Sequence, residues 1–250
     1  MKRIDHFFDI NAMIGSWTKY KLHFSDAATL AAYMKQFNIT GAAVGEFDDL
    51  HWGNLKLFNQ IAPYPEMKPC PDVCLMMDME TGYDSLESYV DMLRNEHDVK
   101  MVRVRPLHTG CSITNSVYKP LLNYLSEHRM PMLIDLEQLK EQLDDVDRLC
   151  AANPDLRVII LHQTHERSRG VYALLKQYEN LFFETSFMSD QEELEQVVEY
   201  AGSRGLLWGS RMPFFEPGRM VARMTYSQLP TADLQAICFG NAERLLDEVR

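Results

Sequence analysis

The sequence predicts one closed (β/α)8 barrel of the TIM type, an α/β fold, spanning residues 1–250 as a single domain. Eight short runs with strand-like composition recur along the chain, at 7–10, 41–47, 73–79, 99–104, 132–135, 157–162, 181–186 and 206–210. Segments of helical periodicity separate them, and that alternation produces parallel strands joined by helical crossovers. Several of the runs are apolar at nearly every position, as expected of strands covered on both faces. An open doubly wound sheet would usually carry a Gly-rich first turn, and neither GxGxxG nor a Walker A pattern occurs. With 250 residues, 46% of them hydrophobic, the chain can bury one large core, and no repeat or low-complexity linker divides it.

The crossover helices have recognisable starts. Ser25 precedes DAATLAAYMKQ, Asp84 and Glu87 form a capping-box pattern, Pro120 opens LLNYLSEH, and Ser189 with Glu192 forms a second box. The final segment ADLQAICFGNAERLLDEVR reads as an extra helix closing the bottom or side of the barrel.

A formal charge of −11, with no Lys/Arg run longer than two, argues against a polyanionic partner such as nucleic acid. The opening MKRIDHFFDI has acidic residues at Asp5 and Asp9 where a signal core would be apolar, and no later segment has the length of a membrane span. The expectation is a soluble cytoplasmic protein. Five cysteines (70, 74, 111, 150 and 238) leave one unpaired under any disulfide scheme, so reduced thiols are expected. The CPDVC stretch at 70–74 has no second Cys pair downstream and reads as a loop cysteine followed by a core cysteine, not a zinc site.

Barrel chemistry is built at the carboxyl ends of the strands, and here those ends are polar. In order they offer Asp9, Asn11 and Met13; Glu46; Asp78 and Glu80; Arg103, Arg105 and then His108; Asp135; His162 and Gln163; Glu184 and Ser186; Ser210 and Arg211. Period-two geometry groups Phe7, Asp9 and Asn11 on one face, as it does Leu133 with Asp135, Val158 and Ile160 with His162, and Leu207 and Gly209 with Arg211. A single polar exit residue means little. Carboxylates, arginines and one imidazole converging from eight strands are better explained by a site.

Four stretches carry a family resemblance. FFDINAMIG (7–15) resembles a first-strand D-x-H-x-H-x-G motif, and KPLLNYLSEHRMPMLIDL (119–136) resembles the helix and strand that present a fifth-strand histidine. NPDLRVIILHQTHERSRGVYALLKQYENLFFETS (153–186) is similar to the sixth- and seventh-strand segment. RGLLWGSRMPF (204–214), followed by FGNAERLL (239–246), resembles the eighth-strand G-S-D-x-P and a terminal N-A-x-x-L-L. Together they resemble the amidohydrolase superfamily, in its amidohydrolase-related branch similar to aminocarboxymuconate-semialdehyde decarboxylase. The resemblance implies a metal-dependent-hydrolase-like barrel. In that family the matching positions surround a divalent metal; here they read Asn11, Met13, Asp135, His162 and Arg211, of which His162 alone keeps the family residue. An amide oxygen is a poor zinc ligand, a thioether prefers softer metals, and a guanidinium cannot ligate at all. No tightly bound zinc or other cofactor is expected, with weak divalent-metal capture by Asp135, His162 and Glu184 as the residual alternative.

Exchange of the aspartate for Arg211 and of a histidine for Asp135 suggests that Arg211 fills the metal space and pairs with Asp135, or else faces the anionic group of a ligand. Arg103 and Arg105 either join it around an anion or pair with Asp78, Glu80 or Glu184. His162, with Asp135 or Glu184 to orient it, is the proton-transfer group, and Asn11, Arg103, Arg105, Arg211 and His108 are the substrate-binding set. His165 reads as a core or capping residue and Met13 as packing. Two classes of function follow: a divergent hydrolase or lyase acting on a small anionic substrate, or a catalytically inactive barrel that binds a small acid or serves in an assembly. The fold does not choose between monomer and homodimer.

Overall fold

The computed structural model describes residues 4–19, 21–47, 55–75, 85–140, 143–162, 168–188, 190 and 192–250. Among the described residues are nine strand segments, separated by helices except between the third and fourth: β1 (Phe7–Ile14), β2 (Ile39–Glu46), β3 (Met67–Pro69), β4 (Asp72–Val73), β5 (Val102–Val104), β6 (Met132–Asp135), β7 (Val158–Leu161), β8 (Leu181–Glu184) and β9 (Leu206–Leu207). All pair in parallel, in the orders β1-β2-β3 and β4 through β9. β3 and β4 are two halves of one barrel strand. Cys70 N donates to Val44 O at 2.8 Å on one side, and Arg103 N donates to Pro71 O at 2.9 Å on the other. Pro71, lacking an N–H, interrupts the ladder between them.

The ring is joined where β1 meets the end of β9, through Ile10 N to Trp208 O (3.1 Å) and Met13 N to Met212 O (2.9 Å). Asp9 reinforces that seam. Fully buried, it accepts from Asn11 N at 3.0 Å, from Ser210 N at 2.9 Å and from the Ser210 hydroxyl. Burial pushes its carboxyl up, and the Ser210 and Asn11 hydrogen bonds oppose that rise.

A barrel strand lies at 67–73, ahead of the expected 73–79, where Pro69 and Pro71 disguise it as a loop; of the expected run Cys74 and Leu75 are not strand, and residues 76–84, with Asp78 and Glu80, lie outside the described residues. Two helix starts move by one residue. Asp26, not Ser25, caps the helix Ala27–Gln36 by accepting from Thr29 N at 2.8 Å, and Ser85 caps Leu86–His97 through Ser88 N. Asp84 and Ser189 are outside the described residues; the helix Glu193–Ala201 follows Glu192, which has φ of 57° and supplies no side-chain cap. Pro120 sits in the first turn of Lys119–Glu127 as expected.

Strand alternation sorts the core into two clusters. Val158 and Ile160, Leu181 and Phe183, and Leu206 and Trp208 pack outward against the helices, whereas Ile159, Leu161, Phe182, Leu207, Leu133, Met101, Phe8 and Ile10 fill the barrel interior. Ala242, Leu245 and Leu246 join the inner cluster, so the terminal helix plugs the end of the barrel where the strands begin. All five cysteines are free thiols. Among the described residues no helix is long and apolar enough to cross a membrane.

Ser210→Ala strips the seam of a hydroxyl donor and leaves a buried carboxylate short of one partner. The expected cost is about 2–3 kcal/mol in urea unfolding, and an unchanged midpoint would show that the seam is held elsewhere.

Candidate functional site

The inward phase of the strands brings Arg103 (β5), Asp135 (β6) and Glu184 (β8) into the barrel above the apolar interior, each two residues beyond an inner-cluster residue: Met101 just before β5, Leu133 and Phe182. Two members arrive differently from the sequence expectation. Phe7 faces outward while Phe8 and Ile10 face in; a register irregularity between Asp9 and Ala12 then shifts the phase and turns Asn11 inward. Val158 and Ile160 likewise face the helices, so His162 does not share an inner face with them. Its φ of 57° breaks the alternation and swings the ring over the interior.

Asn11 is the hub. Its Oδ1 accepts from Arg103 Nη2 at 2.9 Å; its Nδ2 lies 3.1 Å from Glu184 Oε2 and 3.1 Å from His162 Nε2. His162 Nδ1 lies directly against Asp135 Oδ1. Glu184 also accepts from the Ser186 amide and, at 2.8 Å, from the Ser186 hydroxyl. Gly209 faces the same carboxylate so closely that a Cβ would collide with it. Asn11, Arg103, Asp135 and Glu184 are buried; the His162 side chain is 19% exposed and forms the solvent-facing surface of the group. Arg103 Nε and both Asp135 carboxylate oxygens are buried and have no hydrogen-bond partner of good geometry, Oδ1 being the one that lies against His162.

The electrostatics follow from that packing. Burial alone would raise Asp135, but His162 and Arg103, with Arg105 behind them, outweigh it and hold the carboxyl well below the usual range. Burial lowers His162; Asp135 pulls it up, and the Arg211 and Arg103 charges push it down again. Burial lifts Glu184 from 4.5 to about 7 against its Ser186 and Asn11 hydrogen bonds, with Asp9 adding to the rise.

Arg211 does not pair with Asp135, whose carboxylate lies against His162. Its φ is 57°, and its guanidinium lies 4.5, 5.1 and 5.3 Å from the ring centroids of Phe187, Phe214 and Phe215. Phe187 in turn meets His162 edge-on at 5.6 Å. Trp17 and Phe47 extend this half-buried aromatic rim through Phe214, at 5.3 Å each. The cation inside the barrel is Arg103. Arg105 pairs with Asp72 Oδ2 at 2.9 Å, a partner concealed by the disguised third strand. His108 is exposed on the turn Pro106–Thr109, outside the buried network, and Met13 packs its sulfur beside Gly45. Gln163 and His165 lie outside the described residues. The rim phenylalanines escaped the sequence reading, although two of them, Phe214 and Phe215, stand three and four residues after Arg211.

A family model described as Amidohydrolase matches residues 54–247. The chain belongs to the amidohydrolase family. Its fold is that of solved family-like barrels at low identity. It superposes on 2,6-dihydroxybenzoate decarboxylase from Rhizobium with a TM-score of 0.79 at 12% identity, over 97% of this chain and 99% of that one. A dihydroxybenzoic acid decarboxylase from Polaromonas, solved with bound manganese and the inhibitor 2-nitroresorcinol, gives 0.76 at 12% over 97% of both chains. A putative 2-pyrone-4,6-dicarboxylic acid hydrolase from Pseudomonas putida gives 0.69 at 14% over 98% of both. No curated protein matches this chain.

Among the described residues of this group, the donor chemistry is a poor fit to a divalent ion. Both ends of the Asn11 amide are engaged, both His162 nitrogens face protein partners, and an ion bound among them would share the space with the Arg103 guanidinium.

Because Glu184 is raised, the folded chain holds its proton between pH 4.5 and about 7 while the unfolded chain releases it. Its contribution to stability is complete below 4.5 and is lost as pH rises through about 7. Relative to the native chain, Glu184→Gln should therefore gain stability between pH 5 and pH 8, by roughly 3 kcal/mol at most. Parallel urea titrations at the two pH values measure this, and a pH-independent difference contradicts the assignment.

Proposed function

We propose that this amidohydrolase-family barrel is an enzyme, a hydrolase or lyase acting on a small anionic, ring-bearing substrate without a tightly bound zinc or other divalent metal. One observation carries the reading: Arg211 is held by the rim phenylalanines beside the solvent-facing edge of His162. A guanidinium on aromatic faces at a barrel mouth suits a planar acid, whose carboxylate meets the cation while its ring meets Phe187, Phe214 and Phe215. The decarboxylases of similar fold act on aromatic acids by name, which agrees with that class.

His162 moves the proton, Asp135 orients the imidazole and balances its charge, and Glu184 anchors Asn11 beneath it. Asn11 and Arg103 form the floor beneath the ring. Arg105, tied to Asp72, and exposed His108 are peripheral. The same proposal takes residues 1–250 as one cytoplasmic domain recognising a small molecule, not nucleic acid or membrane, and capable of homodimerising.

A second reading, an inactive barrel that binds a small acid, is favoured by one feature: both ring nitrogens of His162 already have protein partners.

Metal analysis of fresh protein and turnover of a panel of small aromatic and cyclic acids separate these readings. The expected result is less than one-tenth equivalent of metal, activity unchanged by chelator, and a loss of about 100-fold or more in His162→Ala. Arg211→Gln should weaken binding of such acids about tenfold. Tight binding without turnover, equal in His162→Ala, indicates the binder; a full equivalent of metal removed by chelator together with activity overturns the metal-free enzyme.

A further inference from the structure

The contacts of one amide determine which nitrogen of His162 carries the proton. An arginine has donors and no acceptor, so the Asn11 atom 2.9 Å from Arg103 Nη2 must be the oxygen. The opposite atom is then the amide nitrogen, which has two protons and no lone pair to offer. One proton goes to Glu184 Oε2 and the other to His162 Nε2, each at 3.1 Å. Nε2 must accept. The ring proton therefore sits on Nδ1, the nitrogen that faces Asp135 Oδ1.

We infer that Arg103 and Asn11 are positioning residues that hold His162 as the neutral Nδ1–H tautomer, so that the chemistry begins with a base at Nε2. The inference rests on the proposed role of His162 in proton transfer. In it an organic cation, acting through a neutral amide, prepares the imidazole; neither residue needs to touch the reacting atoms.

The tautomer divides the reaction classes left open above. Decarboxylation of a ring needs a proton delivered to the ring carbon as its bond to the carboxylate breaks, and Nε2 has none to give. Hydrolysis asks the reverse. A water O–H bond breaks and its proton goes to Nε2 as Asn11 turns aside; the freed oxygen pair bonds the acyl carbon, and the carbonyl π pair moves onto its oxygen. On collapse that pair re-forms the C=O, the bond to the leaving group breaks with its electrons, and the leaving group takes the proton from Nε2. One water is consumed and no other reactant is required. The site as built favours a hydrolysable acyl bond in a small anionic substrate over a simple ring carboxylate.

Long-range proton–nitrogen correlation spectra of the full chain labelled with 15N-histidine test this, with the His162 signals assigned by their loss in His162→Ala. The expected result at neutral pH is a protonated Nδ1 and an unprotonated Nε2. Arg103→Met frees the amide to turn over and should give a mixture of tautomers, while Arg103→Lys, which keeps a donor, should restore the native pattern. Asn11→Asp replaces the donor with an acceptor and should place a proton on Nε2. Circular dichroism checks that each variant is folded, and the native spectrum decides the matter where one is not. An Nε2–H tautomer in the native chain, or unchanged His162 signals in folded Arg103→Met and Asn11→Asp, overturns the inference. The spectra need no substrate, so the predicted tautomer without turnover would count against the enzyme reading alone, and turnover with the opposite tautomer against this inference alone.

Discussion

The carboxamide of Asn11 is the contact around which the barrel mouth is organised. A buried arginine and a buried glutamate would each be costly alone, and placing them in direct contact would spend both charges on each other. The amide joins them without merging them: its oxygen satisfies Arg103 and its nitrogen satisfies Glu184, with one proton left for His162. Arg103 therefore keeps its field on Asp135, and Glu184 remains raised by burial and by Asp9. A carboxylate at position 11 would repel Glu184, and an aliphatic residue would orphan three polar partners at once.

That hub depends on a departure from regular strand geometry, which explains what was legible in the sequence. Leu133 and Asp135 on β6, and Arg103 on β5 with Met101 just before it, obey simple alternation, and their inward direction follows from period two. Asn11 and His162 do not. Asn11 turns inward because the pairing of β1 with β2 slips between Asp9 and Ala12; His162 does so because its backbone adopts a positive φ. The sequence reading selected both residues but assigned them to faces, shared with Phe7 and with Val158 and Ile160, that in fact pack against helices. Functional side chains at irregular backbone positions are where periodicity ceases to be a guide.

The third strand failed for a different reason. Pro69 and Pro71 bracket Cys70 in a stretch that looks like a loop, and the apolar residues after Val73 make a better strand on paper. The barrel tolerates the prolines because its ladder bonds pass through Cys70 N and Pro71 O, where neither proline has to donate. The displacement also concealed Asp72, and with it the reason Arg105 is not a free cation of the site.

Two arginines stand at different depths of the barrel mouth. Arg103 is buried and directed at the Asn11 oxygen, while Arg211 lies half-buried on Phe187, Phe214 and Phe215. The separation has a physical basis. A guanidinium is planar and larger than a metal ion, so one side chain cannot lie among buried donors and still present an open face to solvent. Among the described residues the buried cation of the network comes from β5, as Arg103, and the cation at the rim from the chain beyond β9, as Arg211.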